Sequence, residues 1–245
     1  MSTTNNFNLP VPTKADSVTL SQAINSSGST FKLLYFNIHA RGHILRLILT
    51  LSGAKWEEIN AVWPDMAEKT PFRCLPVVYE TTSDGAITLE LKFNLVGKNE
   101  YESLKVDQFC TSTETTNIQL TQKVHRPPRE TQLTVEERIV ETNKFYKDTL
   151  GKFITLHEAH LQQNGSNGHY VGDNFTLADL KTTVFIERVL SLTPKSVNEV
   201  SFSEERSPNL WKVRQAVYDN PNVKAWLNSQ RYQELDANTK ALFRV

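Results

Sequence analysis

The spacing of apolar residues changes once along this chain of 245 residues, and the change falls close to residue 91. Before it, short apolar or alternating runs predict one helix, at residues 42–52, and strands at residues 31–37, 56–62, 75–80 and 87–91. After residue 99, apolar residues recur at helical spacing towards the end of the chain. This order predicts two domains, each large enough to hold its own core.

The pattern also sets the domain boundaries. Residues 1–30 are rich in Ser, Thr and Asn and predict a polar N-terminal extension, either disordered or laid over the surface. An α/β domain follows at residues 31–92, then a linker at 93–98 and an all-helical C-terminal domain at 99–245. In that domain, helices are predicted at residues 99–124, 133–163, 176–192, 207–219 and 221–230.

Capping signatures support two of these helix starts. Asn99 is followed three residues later by Glu102, and Thr176 is followed at the same spacing by Asp179. A short polar side chain with an acidic residue three positions on is typical of a capping box at a helix N-terminus. Proline at the expected start of the strand at 75–80 predicts a cis peptide at Leu75–Pro76.

The charge balance and the lengths of the apolar runs argue against nucleic acid and membranes as partners. Lys plus Arg and Asp plus Glu both number 27, so the formal net charge is zero and no basic surface for nucleic acid is indicated. No apolar run approaches the length of a membrane span, and no apolar segment at the N-terminus indicates a secretory signal. We therefore expect a cytoplasmic protein that binds neither nucleic acid nor membrane.

Cysteine and histidine spacing predicts no metal site. Cys74 and Cys110 form no CxxC motif, and two isolated cysteines are typical of reduced thiols in an intracellular protein. His157 and His160 lie three apart on one predicted helix, which differs from the four-residue spacing of the HExxH zinc motif.

Four strings of this sequence resemble those of the cytosolic glutathione transferases, the sigma type in particular. They are YFNIHARGHILRLIL, VWPDMAEKTPFRCLPVVYE, YVGDNFTLADL and PNLWKVRQAVYDNPNVKAWL. In that family they correspond to the first strand, turn and helix, the Trp-Pro loop, a helix-capping segment and the late helices. The resemblance covers residues 31–235 and implies an α/β thioredoxin-like N-terminal domain followed by an all-α C-terminal domain.

The resemblance implies two catalytic residues. Tyr35 falls where the catalytic tyrosine donates a hydrogen bond to the sulfur of glutathione and favours the thiolate, the reactive form of a thiol. Arg41 falls where an arginine supports that tyrosine and the developing negative charge. From the local pattern alone, Tyr35 is instead a core strand residue and Arg41 an exposed residue of the first helical turn.

The resemblance also implies a set of residues that hold glutathione. Trp63 would donate its indole N–H to the glycine end, and Lys69 would pair with the carboxylate there, although the lysine of the family lies two positions earlier, at Ala67 here. Leu75, before Pro76, would pair its backbone with the cysteinyl residue as an added strand does. Without the resemblance, Trp63 is a loop anchor packed on the sheet and Pro76 is structural.

Self-association is a further implication of the resemblance. Asp107 falls where an acidic residue of the partner subunit reaches the γ-glutamyl amine, and the helix near residues 99–123 forms the dimer interface of the family. We therefore expect a homodimer or a larger self-assembly. His39 and His43, where the family often has Arg and Glu, are expected to lie on the surface.

One segment departs from the family. There, the strand corresponding to residues 87–91 leads into an acidic residue or Gln followed by Ser, and the Ser opens a helix; here Glu90 fits the first position and Leu91 takes the place of the Ser. About eight or nine residues, equivalent to ~12 Å of helix, are absent, so the last helix of the N-terminal domain is predicted to be shortened or lost. That helix start would bind the γ-glutamyl carboxylate, so its loss would lower glutathione affinity by a factor of roughly 100 or more.

Two functions remain open on this sequence. In the first, the chain conjugates or isomerises small hydrophobic electrophiles with glutathione as co-substrate, through a tyrosine-stabilised thiolate and with weakened binding. In the second, it is a catalytically silent structural, storage or self-assembling protein derived from a transferase, as the S-crystallins are. In either case the sheet face left by the lost helix must be covered, by residues 1–30, by residues 92–98 or by a partner subunit.

Overall fold

The structure is a computed structural model that describes residues 30–70, 73–81, 87–88, 95–125, 134–192 and 202–243. The chain divides into two compact units. The N-terminal unit holds Met1–Phe93 and Glu234–Asn238, and the helical unit holds Asn94–Gln233 and Thr239–Val245.

The N-terminal unit is built on a sheet with the strand order β2-β1-β3-β4. Its strands are β1 (Thr30–Tyr35), β2 (Lys55–Asn60), β3 (Val77–Thr81) and β4 (Ile87–Thr88). Helix α1 (Gly42–Leu51) joins β1 to β2, which run parallel, whereas β3 is antiparallel to both β1 and β4. This mixed sheet is that of a thioredoxin-like domain and confirms the predicted fold class.

Strands β1 and β3 are buried on both faces within the single chain. Successive side chains of a strand point to opposite faces, and β1 carries apolar residues on both. One face holds Phe31, Leu33 and Tyr35 against Val78 and Leu49, while the other holds Leu34, Val77 and Tyr79, packed by Ile59, Ala61 and Met66. None of these buried strand residues needs a partner subunit to cover it.

The shortened last helix of the α/β domain was predicted after residue 91. Residues 89–94, including Glu90, lie outside the described part of the chain, so this remains a prediction. Residues 95–99 are described and are not helical. The next helix begins at Glu100, one residue after the predicted cap.

The described residues after 99 form the predicted helices and one more, the last of which includes the Glu234–Asn238 segment of the N-terminal unit. They are α2 (Glu100–Leu120), α3 (Val135–Lys144), α4 (Gly151–Gln163), α5 (Leu177–Leu192), α6 (Pro208–Asp219) and α7 (Pro221–Leu227), followed by α8 (Gln230–Phe243). A π-helical turn, Phe145–Leu150, joins α3 to α4, so the predicted long helix is continuous apart from this wider turn. Helix α8 was not predicted, because its buried side carries the polar Thr239 beside Leu235 and the apolar period is weak.

The predicted caps form, although in different ways. The Asn99 side chain accepts from the backbone N–H of Glu102 at 3.0 Å. At the start of α5, however, Asp179 is the acceptor: its carboxylate receives the backbone N–H of Thr176 at 2.6 Å, the Thr176 hydroxyl at 2.6 Å and the backbone N–H of Tyr170 at 2.8 Å. Asp179 is fully buried, and these bonds compensate for the removal of the carboxylate from water.

The core of the helical unit is one cluster of apolar side chains. It includes Leu120, Phe145, Leu150, Ile186, Val189 and Leu210. Cys110 lies in this cluster, where burial raises the pKa of its thiol to about 11. Among the described residues, no helix is both long enough and apolar enough to cross a bilayer.

Candidate active site

The candidate site lies where β1 ends and the chain turns into α1. Tyr35 is the last residue of β1, and its side chain is only 6% exposed. Residues 36–41 form the turn, and Arg41 is the N-cap of α1. The backbone N–H of Arg41 donates to the Tyr35 hydroxyl oxygen at 3.1 Å. The phenol oxygen of Tyr35 therefore lies at the amino end of α1, where the helix presents unpaired N–H groups.

Two opposing influences act on the ionisation of Tyr35. Burial raises the pKa of its phenol above the ordinary value of 10.0. The backbone N–H of Arg41 and the positive charges of Arg41 and Arg46 lower that pKa, but by less than burial raises it. The hydroxyl thus keeps its proton at neutral pH. Because its oxygen accepts from the backbone, the proton of Tyr35 is available for donation to another group.

Arg41 and Arg46 have different positions beside this tyrosine. Arg41 is exposed, and it donates to the Tyr35 hydroxyl through its backbone N–H. Arg46 is 1% exposed, and its guanidinium carbon lies 5.8 Å from the centroid of the Tyr35 ring. The resemblance indicated Arg41 alone. Arg46 could have been noticed as a charged residue within an apolar helical run.

Arg46 holds the turn between β1 and α1. Its guanidinium donates to Glu58 on β2. It also donates to backbone carbonyl oxygens of the turn: that of Ile38 at 2.8 Å, that of Phe36 at 3.2 Å and that of His39 at 3.3 Å. A planar guanidinium can serve several acceptors at once, which an ammonium group cannot do in the same geometry.

The expectation that His39 and His43 lie on the surface was wrong. They are 6% and 7% exposed, and their rings contact each other at a tilt of 33°, with centroids 4.3 Å apart. His39 lies in the loop between β1 and α1, and His43 lies four residues later in the first helical turn of α1, near the charge of Arg46. Burial, with the charges of His39 and Arg46, lowers the pKa of His43 well below its usual range, while Asp236 acts in the opposite direction.

The other residues implied by the resemblance lie at several places in the fold. Trp63 is 37% exposed, and its ring meets that of Phe36 edge-on at 6.4 Å between centroids. The Leu75–Pro76 peptide is cis, as predicted. The Trp63–Pro64 peptide is also cis, which was not predicted. Leu75 and Pro76 are half-buried just before β3, and Leu75 packs against the clusters on both faces of the sheet.

The remaining three of these residues are Lys69, Glu90 and Asp107. Lys69 ends a 3₁₀ turn, Ala67–Lys69, beside the Trp63 loop. Glu90 lies outside the described residues. Asp107 is exposed on α2 in the helical unit. The N-terminal unit therefore brings together Tyr35 and Arg41, and it contains Trp63, Leu75 and Pro76 on segments that adjoin the same sheet.

His157 and His160 belong to a separate, buried network in the helical unit. His157 is 2% exposed; its Nε2 lies 2.9 Å from the Ser112 hydroxyl and its Nδ1 lies 2.6 Å from the hydroxyl of Tyr170. His160 Nε2 lies 2.8 Å from the Tyr170 carbonyl oxygen, so this nitrogen is the donor. Burial, with the nearby His160, lowers the pKa of His157 to about 3, so its imidazole is neutral near pH 7.

This second network does not have the electrostatics of a catalytic triad. The Ser–His pair is in hydrogen-bond reach, but a neutral tyrosine stands where a triad has a carboxylate to stabilise the imidazolium. A histidine with so low a pKa is a weak general base near neutral pH. In the described part of the chain, no three His, Cys, Asp or Glu side chains are grouped as metal ligands.

Comparison with known proteins agrees with the fold. The family model described as "Glutathione S-transferase, C-terminal domain" matches residues 128–230. "Glutathione S-transferase P" of Caenorhabditis elegans is 28% identical to this chain over 213 residues, which are 82% of this chain and 93% of that protein. "S-crystallin SL11" of Nototodarus sloanii is 24% identical over 213 residues, 82% of this chain and 97% of that protein.

Solved structures give the same result. The sigma class GST of Fasciola hepatica superposes with a TM-score of 0.65 at 19% sequence identity, and the match covers 81% of this chain and 95% of that one. In sequence and in fold, the chain is similar to the cytosolic glutathione transferases.

Proposed function

We propose that the N-terminal unit binds glutathione and that Tyr35 stabilises its thiolate, which then attacks or isomerises a small hydrophobic electrophile. The observation that carries this proposal is the position of the Tyr35 hydroxyl. Its oxygen accepts the backbone N–H of Arg41 at 3.1 Å, and the phenol keeps its proton because burial raises its pKa. A protonated phenol held in this way is a donor to an anionic sulfur.

Such a donor would contribute enough free energy to shift the thiol of bound glutathione towards its thiolate. A free thiol has a pKa of about 8.5, so only a few per cent is thiolate at pH 7. One hydrogen bond to a charged group contributes about 1.5–3 kcal/mol, which would lower that pKa by roughly one to two units. Near pH 7, roughly a quarter to three quarters of the bound glutathione would then be in the reactive form.

The remaining residues of the family's site are proposed as binding groups. Trp63, half-exposed on its loop, and the backbone of Leu75 beside the cis peptide to Pro76 would hold the glycine and cysteinyl parts of glutathione. Lys69, Glu90 and, from a partner subunit, Asp107 are proposed for the charged ends. Because the helix expected after Glu90 is predicted to be shortened or lost, we expect the binding of glutathione to be weakened.

The test is a calorimetric titration with glutathione together with an aryl-halide conjugation assay. We expect binding at micromolar to low-millimolar concentration, and we expect turnover to fall at least tenfold in Tyr35→Phe, which keeps the ring and removes the donor. Tyr79→Phe is the matched control, because Tyr79 is buried on the opposite face of the same sheet. Equal losses in the two variants would contradict a special role for Tyr35.

A silent structural protein is the second candidate function. It is favoured by the match to S-crystallin SL11 over 82% of this chain and by the 6% exposure of Tyr35, whose hydroxyl also completes the amino end of α1. The same titration separates the two candidates. No heat and no turnover at millimolar glutathione would leave Tyr35 as a structural residue and support the second function.

A further inference from the structure

We infer that Gly42 is a positioning residue for Tyr35: the missing Cβ lets the phenol ring lie directly against the first turn of α1. The catalytic consequence of this inference rests on the function proposed above. The structural part of the inference, that Gly42 determines the position of the Tyr35 hydroxyl, is independent of that function.

The contact between the two residues is unusually close. A Cβ built on Gly42 would lie 2.4 Å from Cδ1 of the Tyr35 ring, 2.9 Å from Cγ and 3.0 Å from Cε1. Carbon atoms in ordinary contact lie about 3.5–4.0 Å apart. Any side chain at position 42 would therefore push the ring, or the helix turn, by about 1 Å.

The backbone gives no separate reason for glycine at this position. Gly42 is the first residue of α1, and its φ lies outside the left-handed region that favours glycine. Glycine is a poor helix former compared with alanine. The close approach of the Tyr35 ring therefore accounts for the residue, whereas helix geometry does not.

The same contact determines the hydrogen bond to Tyr35. The ring that lies on Gly42 carries the hydroxyl that accepts the Arg41 backbone N–H at 3.1 Å, and the N–H of Gly42 itself acts on the same oxygen. A displacement of about 1 Å exceeds what a hydrogen bond of this length tolerates. A misplacement of that size at a reacting group can lower a rate by about 100-fold.

Gly42→Ala tests the inference, with Gly151→Ala as the matched control. Gly151 also begins a helix, and its added Cβ would meet only the Tyr146 carbonyl oxygen, at 3.9 Å. The first readout is the NMR signal of ring carbon Cζ in protein labelled at tyrosine, with the Tyr35 signal assigned by its loss in Tyr35→Phe. We expect Gly42→Ala to shift the Tyr35 signal and Gly151→Ala to leave it in place.

The second readout is turnover. We expect Gly42→Ala to lower kcat by about 10- to 100-fold with little change in KM for glutathione. Adding Gly42→Ala to Tyr35→Phe should then lower kcat no further, because the hydroxyl is already gone. An unchanged Tyr35 signal, or additive losses in the double variant, would overturn the inference.

The two readouts separate the inference from the proposed function. If the wild-type protein shows no turnover, the proposed function fails, and the Tyr35 signal alone decides whether Gly42 positions the phenol. If Gly42→Ala does not fold, Tyr35→Ala in the same chain should restore folding by removing the ring that the new Cβ meets. A double variant that still fails to fold would overturn the inference.

Discussion

Arg46 carries a charge into the interior of the N-terminal unit, and its partners explain why the fold accepts it. The guanidinium pairs with Glu58 and with three carbonyl oxygens of the turn after β1. We expect Arg46→Lys to lower the free energy of unfolding by about 3 kcal/mol, because one ammonium cannot serve these acceptors and a partly unpaired charge stays buried.

Urea unfolding measures this effect. Arg73→Lys is the control, since the ion pair of Arg73 with Glu68 is exposed, with side chains 70% and 72% accessible. Exposed pairs of this kind contribute about 0–1 kcal/mol. Similar losses at Arg46 and Arg73 would show that the buried network is not what stabilises the turn.

We expect His157 to make the stability of the protein depend on pH. Its pKa is 6.5 in an unfolded chain and about 3 in the native unit, because the side chain is buried. Between these values the unfolded chain binds a proton that the native state does not. The free energy of unfolding therefore falls as the pH is lowered from 6.5 towards 3, by up to about 1.4 kcal/mol per pH unit from this residue alone.

Unfolding curves at several pH values isolate this contribution. In His157→Gln the contribution is absent, so we expect the variant to be less stable than the wild type at pH 7 and the difference to shrink as the pH falls. Tyr170→Phe is the control, because it removes a hydrogen bond of His157 and keeps the titrating group. A constant difference between wild type and His157→Gln would contradict the assignment.

The residues of the candidate site were predictable to different degrees. The position of Tyr35 on the first strand followed from the pattern and the resemblance together, although the strand ends at Tyr35 and not at the predicted residue 37. The close contact of Tyr35 with Gly42 did not, because it depends on the path of the turn between them. Arg46 lies within an apolar helical run, and the run does not indicate what its guanidinium binds. Its four acceptors come from two other segments of the fold, and they reveal its function.

At the scale of secondary structure, Gly151 is a place where the chain can be stabilised. It begins α4 with helical neighbours, its φ lies outside the left-handed region, and a Cβ there meets only the Tyr146 carbonyl oxygen at 3.9 Å. Gly151→Ala should raise the free energy of unfolding by about 0.5–1 kcal/mol, because alanine loses less backbone entropy in a helix. Thermal melting would show it as a higher Tm, and a lower Tm would contradict the described geometry.

The secondary structure itself followed largely from periodicity. Helix α1 was predicted at residues 42–52 and is Gly42–Leu51, because six apolar residues crowd into its short span. Helix α8 was not predicted, since the buried side of an exposed terminal helix can include a residue such as Thr239. The π-helical turn Phe145–Leu150 was also not predicted, because apolar residues continue through it and the wider turn leaves no compositional mark.

At the scale of the whole molecule, we propose that α2 forms a homodimer interface. Tyr101 and Leu104 are 67% and 69% exposed on the first turns of this helix, and the formal net charge of zero offers no general repulsion between copies. We expect Leu104→Glu to convert a dimer to a monomer in sedimentation velocity. The expected shift is a dissociation constant raised at least 100-fold.

Leu156→Glu is the matched control for this experiment. Leu156 is 68% exposed on α4, so the substitution adds the same charge at an equally accessible leucine. Loss of the dimer in both variants, or in neither, would remove the first turns of α2 from the interface.

The two cysteines give the protein a practical property. Cys74 is exposed beside Leu75, whereas Cys110 is buried in the helical core with its thiol pKa raised to about 11. A maleimide dye added near neutral pH should therefore label a single position without any mutagenesis, because the thiolate is the nucleophile. The label would stand next to the segment proposed to bind glutathione, so its fluorescence could follow ligand binding even in a molecule with no catalytic turnover.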